Sequence, residues 1–235
     1  MKTPQQDLRS LYQKEYFSSP GFQDESMIQY SRKEKVFNLE WASAWSGHDL
    51  LVGRGKTALD AGCGVGLNAF LLNELGYRVA GIDFSDYAVQ DAKRRSQREG
   101  RQQMEWFVAD LDAEPISGLY DLVICWEVIE HVRNPAAVLQ KLYNALKPQG
   151  ILVVTTPNRL GLSHLLLAKD PRHIHVHSSF WWAQKLRELR SFRWVCRSMI
   201  FWDHVLPWLR PRKRVMAHWL PVLGFRIRMA ALKAS

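Results

Sequence analysis

From Lys56 onward the chain repeats one rhythm: a short, nearly unbroken apolar run, then a stretch with helical periodicity. Thr57–Ala61, Arg78–Ile82, Glu105–Ala109, Asp121–Trp126 and Ile151–Thr155 are the runs, with Leu67–Leu75, Asp86–Arg98 and Pro135–Leu146 as the helices among them. A strand that is apolar on both sides has no face to give to water, so the sheet must be covered twice. Strand–helix alternation of that kind predicts a parallel, doubly wound (Rossmann-like) α/β fold with helices on both faces. A helix starting near Ser179 and strands through Phe192–Ile200 and Phe225–Leu232 would complete a seven-stranded, mostly parallel sheet. In such folds the ligand sits at the carboxyl ends of the strands, near the point where strand order reverses.

Residues 1–55 read as a helical extension. Glu25–Trp45 sets Met27, Ile28, Val36, Leu39 and Trp45 among charges, and glycines 47, 53 and 55 lead into the first strand. The core is assigned to 56–200, an aromatic and basic insertion to 201–224, and the final strand to 225–235. At 235 residues there is room for one α/β domain and a modest cap. Met1–Ser10 is polar, with no apolar centre of a leader, and no run approaches the ~18 apolar residues of a spanning helix. Cys63, Cys125 and Cys196 are scattered, which fits reduced thiols in a cytoplasmic protein.

The segment Leu59-Asp60-Ala61-Gly62-Cys63-Gly64-Val65-Gly66 follows the first strand and opens a helix. Glycines there permit close backbone approach to a ligand. A dinucleotide site would place its third glycine at position 67, which is Leu67. That spacing disfavours an NAD-dependent oxidoreductase. The second strand ends in Ile82-Asp83-Phe84, where a carboxylate can accept both hydroxyls of a ribose. The third ends in Val108-Ala109-Asp110-Leu111, which offers an adenine amino group an acceptor and an apolar platform. Asp60 and Asp110 could instead cap neighbouring helices. Taken together, the three strand ends resemble the class I S-adenosylmethionine-dependent methyltransferases over roughly Lys56–Asn158. The resemblance implies that Gly62, Gly64 and Gly66 line the methionine part of S-adenosylmethionine, with Asp60 and Trp126 also among the cofactor-binding residues. It gives the ribose to Asp83 beside Phe84, and the adenine to Asp110 and Leu111.

On the acceptor side stands Trp126-Glu127-Val128-Ile129-Glu130-His131-Val132. If the chain turns helical after the fourth strand, Glu127, Glu130 and His131 converge at i, i+3 and i+4. Such a trio could hold a hard divalent cation or form a general-base pair, with His131 and Glu127 as the catalytic candidates. The run Asp121–Arg159, closing on Thr156-Pro157-Asn158-Arg159, is similar to the ubiquinone-biosynthesis O-methyltransferases, and that likeness implies magnesium at the Glu, Glu and His. The same pattern is similar to the small-RNA 2′-O-methyltransferases, where a further histidine completes the metal site, and His173 matches it best. The metal set implied is therefore Glu127, Glu130, His131 and His173. Many small-molecule methyltransferases carry the Glu–His pair without a metal, so a metal-free base stays open. His175 and His177 alternate with Ile174 and Val176 and read as one face of an extended segment.

The net charge of +9 lies in the tail: from Lys185 on, twelve Lys and Arg face only Glu188 and Asp203. Six of the ten tryptophans fall between Trp181 and Trp219, so the insertion around Trp202, Trp208, Arg210, Arg212, Lys213 and Arg214 mixes aromatics with cations. That composition suits a lid over an apolar acceptor, a peripheral contact with an anionic membrane on its inner face, or a stacking surface for RNA. The leading reading is O-methylation of an apolar or lipid-like small molecule. The alternatives are an RNA 2′-O-methyltransferase, and a non-catalytic membrane- or partner-binding module that retains the fold.

Overall fold

The computed structural model describes residues 12, 14–19, 22, 24–101, 103–161, 172–189, 191, 193–199 and 226–235. The elements in chain order are α1 (Lys14–Phe17), α2 (Glu25–Ser46), β1 (Thr57–Ala61), α3 (Leu67–Glu74), β2 (Arg78–Asp83), α4 (Asp86–Arg98) and β3 (Met104–Val108). They continue with β4 (Tyr120–Trp126), α5 (Pro135–Asn144), β5 (Leu146–Pro157), α6 (Ser179–Glu188), β6 (Arg193–Met199) and β7 (Arg226–Leu232). The seven strands form one sheet in the order β3-β2-β1-β4-β5-β7-β6. The first five run parallel, and β7 lies antiparallel between β5 and β6.

The period-2 geometry of the central strands explains the two covered faces. On β4, Val123 and Cys125 pack to one side with Leu139 and Leu142 of α5 and Trp182 and Leu186 of α6. Leu122, Ile124 and Trp126 point the other way, onto Leu39 and Ala42 of α2 and Phe70 and Leu72 of α3. The helices start where the local chemistry dictates. Asp24 caps α2 by accepting from the Ser26 and Met27 amides, Ser85 caps α4, Asn134 caps α5 ahead of Pro135, and Ser178 caps α6. Gly47 stops α2 in the left-handed conformation at φ 80°.

Two departures from the sequence reading matter for the site. The chain does not turn helical after β4: residues 127–134 form turns and bends, and Glu127 itself is left-handed at φ 58°. β5 is also longer than expected, because it begins at Leu146, directly after the end of α5. The insertion Phe201–Gly224 lies outside the described residues. Its flanking strands pair Met199 with Arg226, and Arg226 with Pro157 at the carboxyl end of β5. Both flanks thus meet the sheet at its ligand-binding edge.

The extension is bound to the far strand by buried charge. Arg228 of β7 is fully buried; its Nε donates to Asn38 Oδ1, and its Nη2 lies 3.5 Å from Glu34 Oε1, both on α2. Among the described residues no helix is long and apolar enough to cross a membrane.

Candidate cofactor and acceptor site

The carboxyl ends of β1, β2, β3 and β4 open onto a cavity of about 340 Å³. The loop after β1 is stitched to β2: Ile82 O accepts from the amides of Gly62 (2.7 Å) and Cys63 (2.9 Å), and the Gly64 amide donates to Asp83 Oδ2 at 2.8 Å. The Gly66 amide returns to Cys63 O. With these N–H groups turned inward, the loop has few left to cradle a pyrophosphate, which separates it from a dinucleotide site. Gly62 needs its φ of 79°, and a Cβ there would meet the Val128 side chain at 2.3 Å. At Gly66 the same atom would meet Trp106 at 2.6 Å.

Asp83 sits at the tip of β2 with one backbone amide on each oxygen, Gly64 on Oδ2 and Ser85 on Oδ1 (2.9 Å). Burial raises its pKa above the ordinary value, while those amides oppose the rise. Each oxygen keeps a second lone pair, so the carboxylate can still accept a pair of vicinal hydroxyls. Beyond β3, Asp110 and Leu111 line the cavity on a turn held from below by the Lys141 ammonium, which donates to the carbonyls of Leu111, Asp112 and Glu114.

The cavity gathers Gly62, Gly64, Asp83, Phe84, Asp110, Leu111, Trp126, Glu127 and His131. It leaves out Asp60, Gly66, Glu130 and His173. Asp60 lies beneath the loop, fully buried, beside Asn68 and Ala69 at the start of α3. Its pKa is pushed up to about 7 by burial, with the Lys35 cation pulling the other way. Neither of its carboxyl oxygens has a hydrogen-bond partner among the described residues. Four aromatic residues of the extension that the motifs did not single out, Tyr12, Tyr16, Phe17 and Phe22, line the cavity, and Ser31 and Lys35 of α2 join them.

The acceptor-side residues divide into two groups. Glu127 turns to β7, with Oε2 3.1 Å from Arg226 Nε. Glu130, His131 and His173 form a separate cluster whose ligand-type atoms lie within 4.8 Å of one another. The four-residue metal set is corrected accordingly: without a helical turn at 127, the i, i+3, i+4 convergence fails and Glu127 leaves the cluster. One carboxylate and two imidazoles form a nitrogen-rich donor set, which suits a borderline transition metal better than oxygen-loving magnesium. Glu130 is fully buried and accepts from Thr156 Oγ1 at 3.1 Å; burial, then the Glu127 charge, pushes its pKa well above the ordinary range. His131 Nδ1 lies 2.8 Å from the Arg172 carbonyl and 3.0 Å from the Tyr12 hydroxyl. A carbonyl only accepts, so Nδ1 carries a proton, and Nε2 is the basic nitrogen of the neutral ring.

Residues 43–191 match the family described as "Methyltransferase domain". The chain belongs to that family. It is 33% identical over 135 residues to the ubiquinone biosynthesis O-methyltransferase of Idiomarina loihiensis, covering 54% of this chain and 56% of the relative. The chain thus spans just over half the length of that relative. The magnesium protoporphyrin IX methyltransferase of Synechocystis PCC 6803, solved with bound SAH, superposes at a TM-score of 0.64 with 21% identity, covering 98% of this chain and 100% of that one. The [4+2]-cyclase SpnF superposes at 0.62 with 16% identity, covering 88% of this chain and 82% of that one. Likeness at that level establishes the seven-stranded fold, and the chemistry must be argued from the site.

Proposed function

We propose that this methyltransferase-family protein transfers the methyl group of S-adenosylmethionine to the oxygen of an apolar small molecule. One observation carries the reading: a single cavity joins the glycine loop, the β2 carboxylate, the β3 acidic-apolar pair and His131. When bound, S-adenosylmethionine supplies an already activated sulfonium methyl, so the chain's own task is alignment, exclusion of water and removal of a proton. Asp83 would accept the ribose hydroxyls. Asp110 and Leu111 would take the adenine, one as acceptor and the other as platform. Tyr12, Tyr16, Phe17, Phe22 and Phe84 would exclude water and face the acceptor with aromatic carbon. His131 Nε2 would take up the acceptor's hydroxyl proton, its ring held by Arg172 and Tyr12.

An apolar acceptor is supported by that aromatic lining, in which, among the described residues, Lys35 and Arg133 are the lysine and arginine side chains. A nucleic-acid groove would instead track phosphates with a row of cations. The O-methyltransferase name of the sequence relative points the same way. Incubation with methyl-labelled S-adenosylmethionine, a panel of apolar phenols and catechols, and RNA tests this reading. Label is expected in the organic extract; label confined to RNA would select the alternative, and no transfer to any acceptor would favour a non-catalytic module. Metal dependence is tested in the same assay. A base at His131 predicts full turnover in excess chelator, whereas loss restored by manganese or zinc would assign Glu130, His131 and His173 to a cation.

A peripheral membrane contact through the insertion around Trp202, Trp208 and Arg210–Arg214 fits an acceptor drawn from a bilayer. The basic and aromatic composition of that segment supports it.

A further inference from the structure

Arg226 opens β7, and none of the motifs around the glycine loop points to it. Its guanidinium lies between two carboxylates from separate parts of the chain. Nη1 donates to Glu34 Oε1 on α2, and Nε lies 3.1 Å from Glu127 Oε2. Glu127 in turn occupies a left-handed backbone conformation at φ 58°, its amide donating to Thr155 O at 3.0 Å. A glutamate in that conformation is strained, and glycine or asparagine would adopt it more readily. A glutamate there is explained if its carboxylate has a task. Oε2 is committed to Arg226, while Oε1 is buried without a hydrogen-bond partner on a residue that lines the cavity.

Lys35 lines the same cavity, its ammonium 5.5 Å from the centre of the Trp126 ring and within electrostatic reach of Glu127. A carboxylate and an ammonium that share a cavity wall with Gly62 and Gly64 complement a zwitterion. We infer that Arg226 is a positioning residue: it turns Glu127 Oε1 toward the α-ammonium of the cofactor's methionine portion, and Glu34 fixes Arg226 in place. The inference rests on the cofactor placement proposed above. The Glu127 and Glu34 charges hold Arg226 firmly protonated, so the arrangement does not relax by losing a proton. A glutamate free to turn about three side-chain bonds would have to be ordered by each arriving ligand. The guanidinium bears that ordering cost beforehand.

The test compares two ligands by calorimetry on the full chain. S-Adenosylhomocysteine carries the amino-acid portion, and 5′-methylthioadenosine keeps the nucleoside and thioether without it. Arg226→Gln should weaken S-adenosylhomocysteine about ten- to hundredfold and leave 5′-methylthioadenosine within about twofold. Glu127→Gln should show the same selective loss, the double variant should be no worse than either single one, and Arg226→Lys should recover part of it. Should Arg226→Gln not fold, Glu34→Gln carries the same expectation in smaller measure. Equal losses for both ligands, or additive losses from Arg226→Gln and Glu127→Gln, would overturn the proposal and leave the network a structural clamp. Failure of the cofactor placement itself looks different: Asp83→Ala would then leave both affinities unchanged.

Discussion

Asp60 shows how a motif residue can carry a stability cost. Its carboxyl is fully buried near Lys35 and Asp83, and burial, helped by the Asp83 charge, outweighs the Lys35 cation to set a pKa of about 7. A carboxyl whose folded pKa lies above its unfolded value binds more protons when folded, so its contribution falls as pH rises from about 4 to about 7. The rise from 3.8 to about 7 corresponds to at most about 4 kcal/mol. Asp60→Asn should therefore gain stability relative to the parent as pH rises through that window, read from urea midpoints at pH 4.5 and 8. A constant difference across pH would contradict the assignment. His131→Ala should lower kcat by about 10²–10⁴ while S-adenosylhomocysteine affinity changes little, and Tyr12→Phe, which loses one contact to Nδ1, should cost about tenfold. Asp83, Asp110 and His131 could be placed at the cavity from the sequence because each lies just beyond an apolar run, one residue on for the two aspartates and five for the histidine. Lys35, Glu34 and Arg226 were not, since their roles come from pairing between α2 and β7, which no local spacing records. The pair Arg226 and Arg228 in an otherwise apolar strand was the signal available.

The alternation of apolar runs located β1 to β5 and the helices between them closely, because burial on both faces leaves no other arrangement for such strands. The segment after β4 was misread for a definite reason. Glu-x-x-Glu-His has helical spacing, but Glu127 takes a left-handed conformation and the turn places Glu127 and Glu130 against different neighbours. The glycine loop gives an element-scale test. Gly62→Ala puts a methyl into Val128 at a positive φ, so it should destabilise the fold by about 1–3 kcal/mol and weaken the cofactor. Gly100→Ala is the control: it has positive φ but nothing within 4 Å, so it should cost only the backbone strain and spare binding. Between α2 and β7, Asn38→Ala removes the acceptor for the fully buried Arg228 Nε and should cost about 2–3 kcal/mol in urea unfolding. A loss below about 0.5 kcal/mol would mean that α2 is not held by this contact.

Across the whole molecule, segments from both ends of the chain meet at one site: the extension supplies aromatic side chains to the cavity, β1 to β4 their carboxyl ends, and β7 the cation that holds Glu127. The fold class and the cavity wall built from the strand ends were legible because they depend on patterns within about 100 residues. The rest of the cavity was not, because residues 12–35, and Arg226 behind Glu127, join it around a turn. The basic insertion adds a prediction at this scale. Changing Arg210, Arg212, Lys213 and Arg214 to Gln should weaken binding to anionic vesicles by roughly 1 kcal/mol per charge at low salt and leave cofactor affinity alone. Vesicle co-sedimentation at two salt concentrations reads this directly, and unchanged sedimentation would remove the membrane contact. The central claim is that the cavity at the strand ends binds S-adenosylmethionine with Asp83 on its ribose. Calorimetric titration of S-adenosylhomocysteine into the parent protein and a folded Asp83→Ala variant tests it most directly. Tight one-to-one binding to the parent and a loss of about 2–4 kcal/mol in the variant are expected; equal affinity in the two proteins, or no binding to the parent, would rule out the ribose contact.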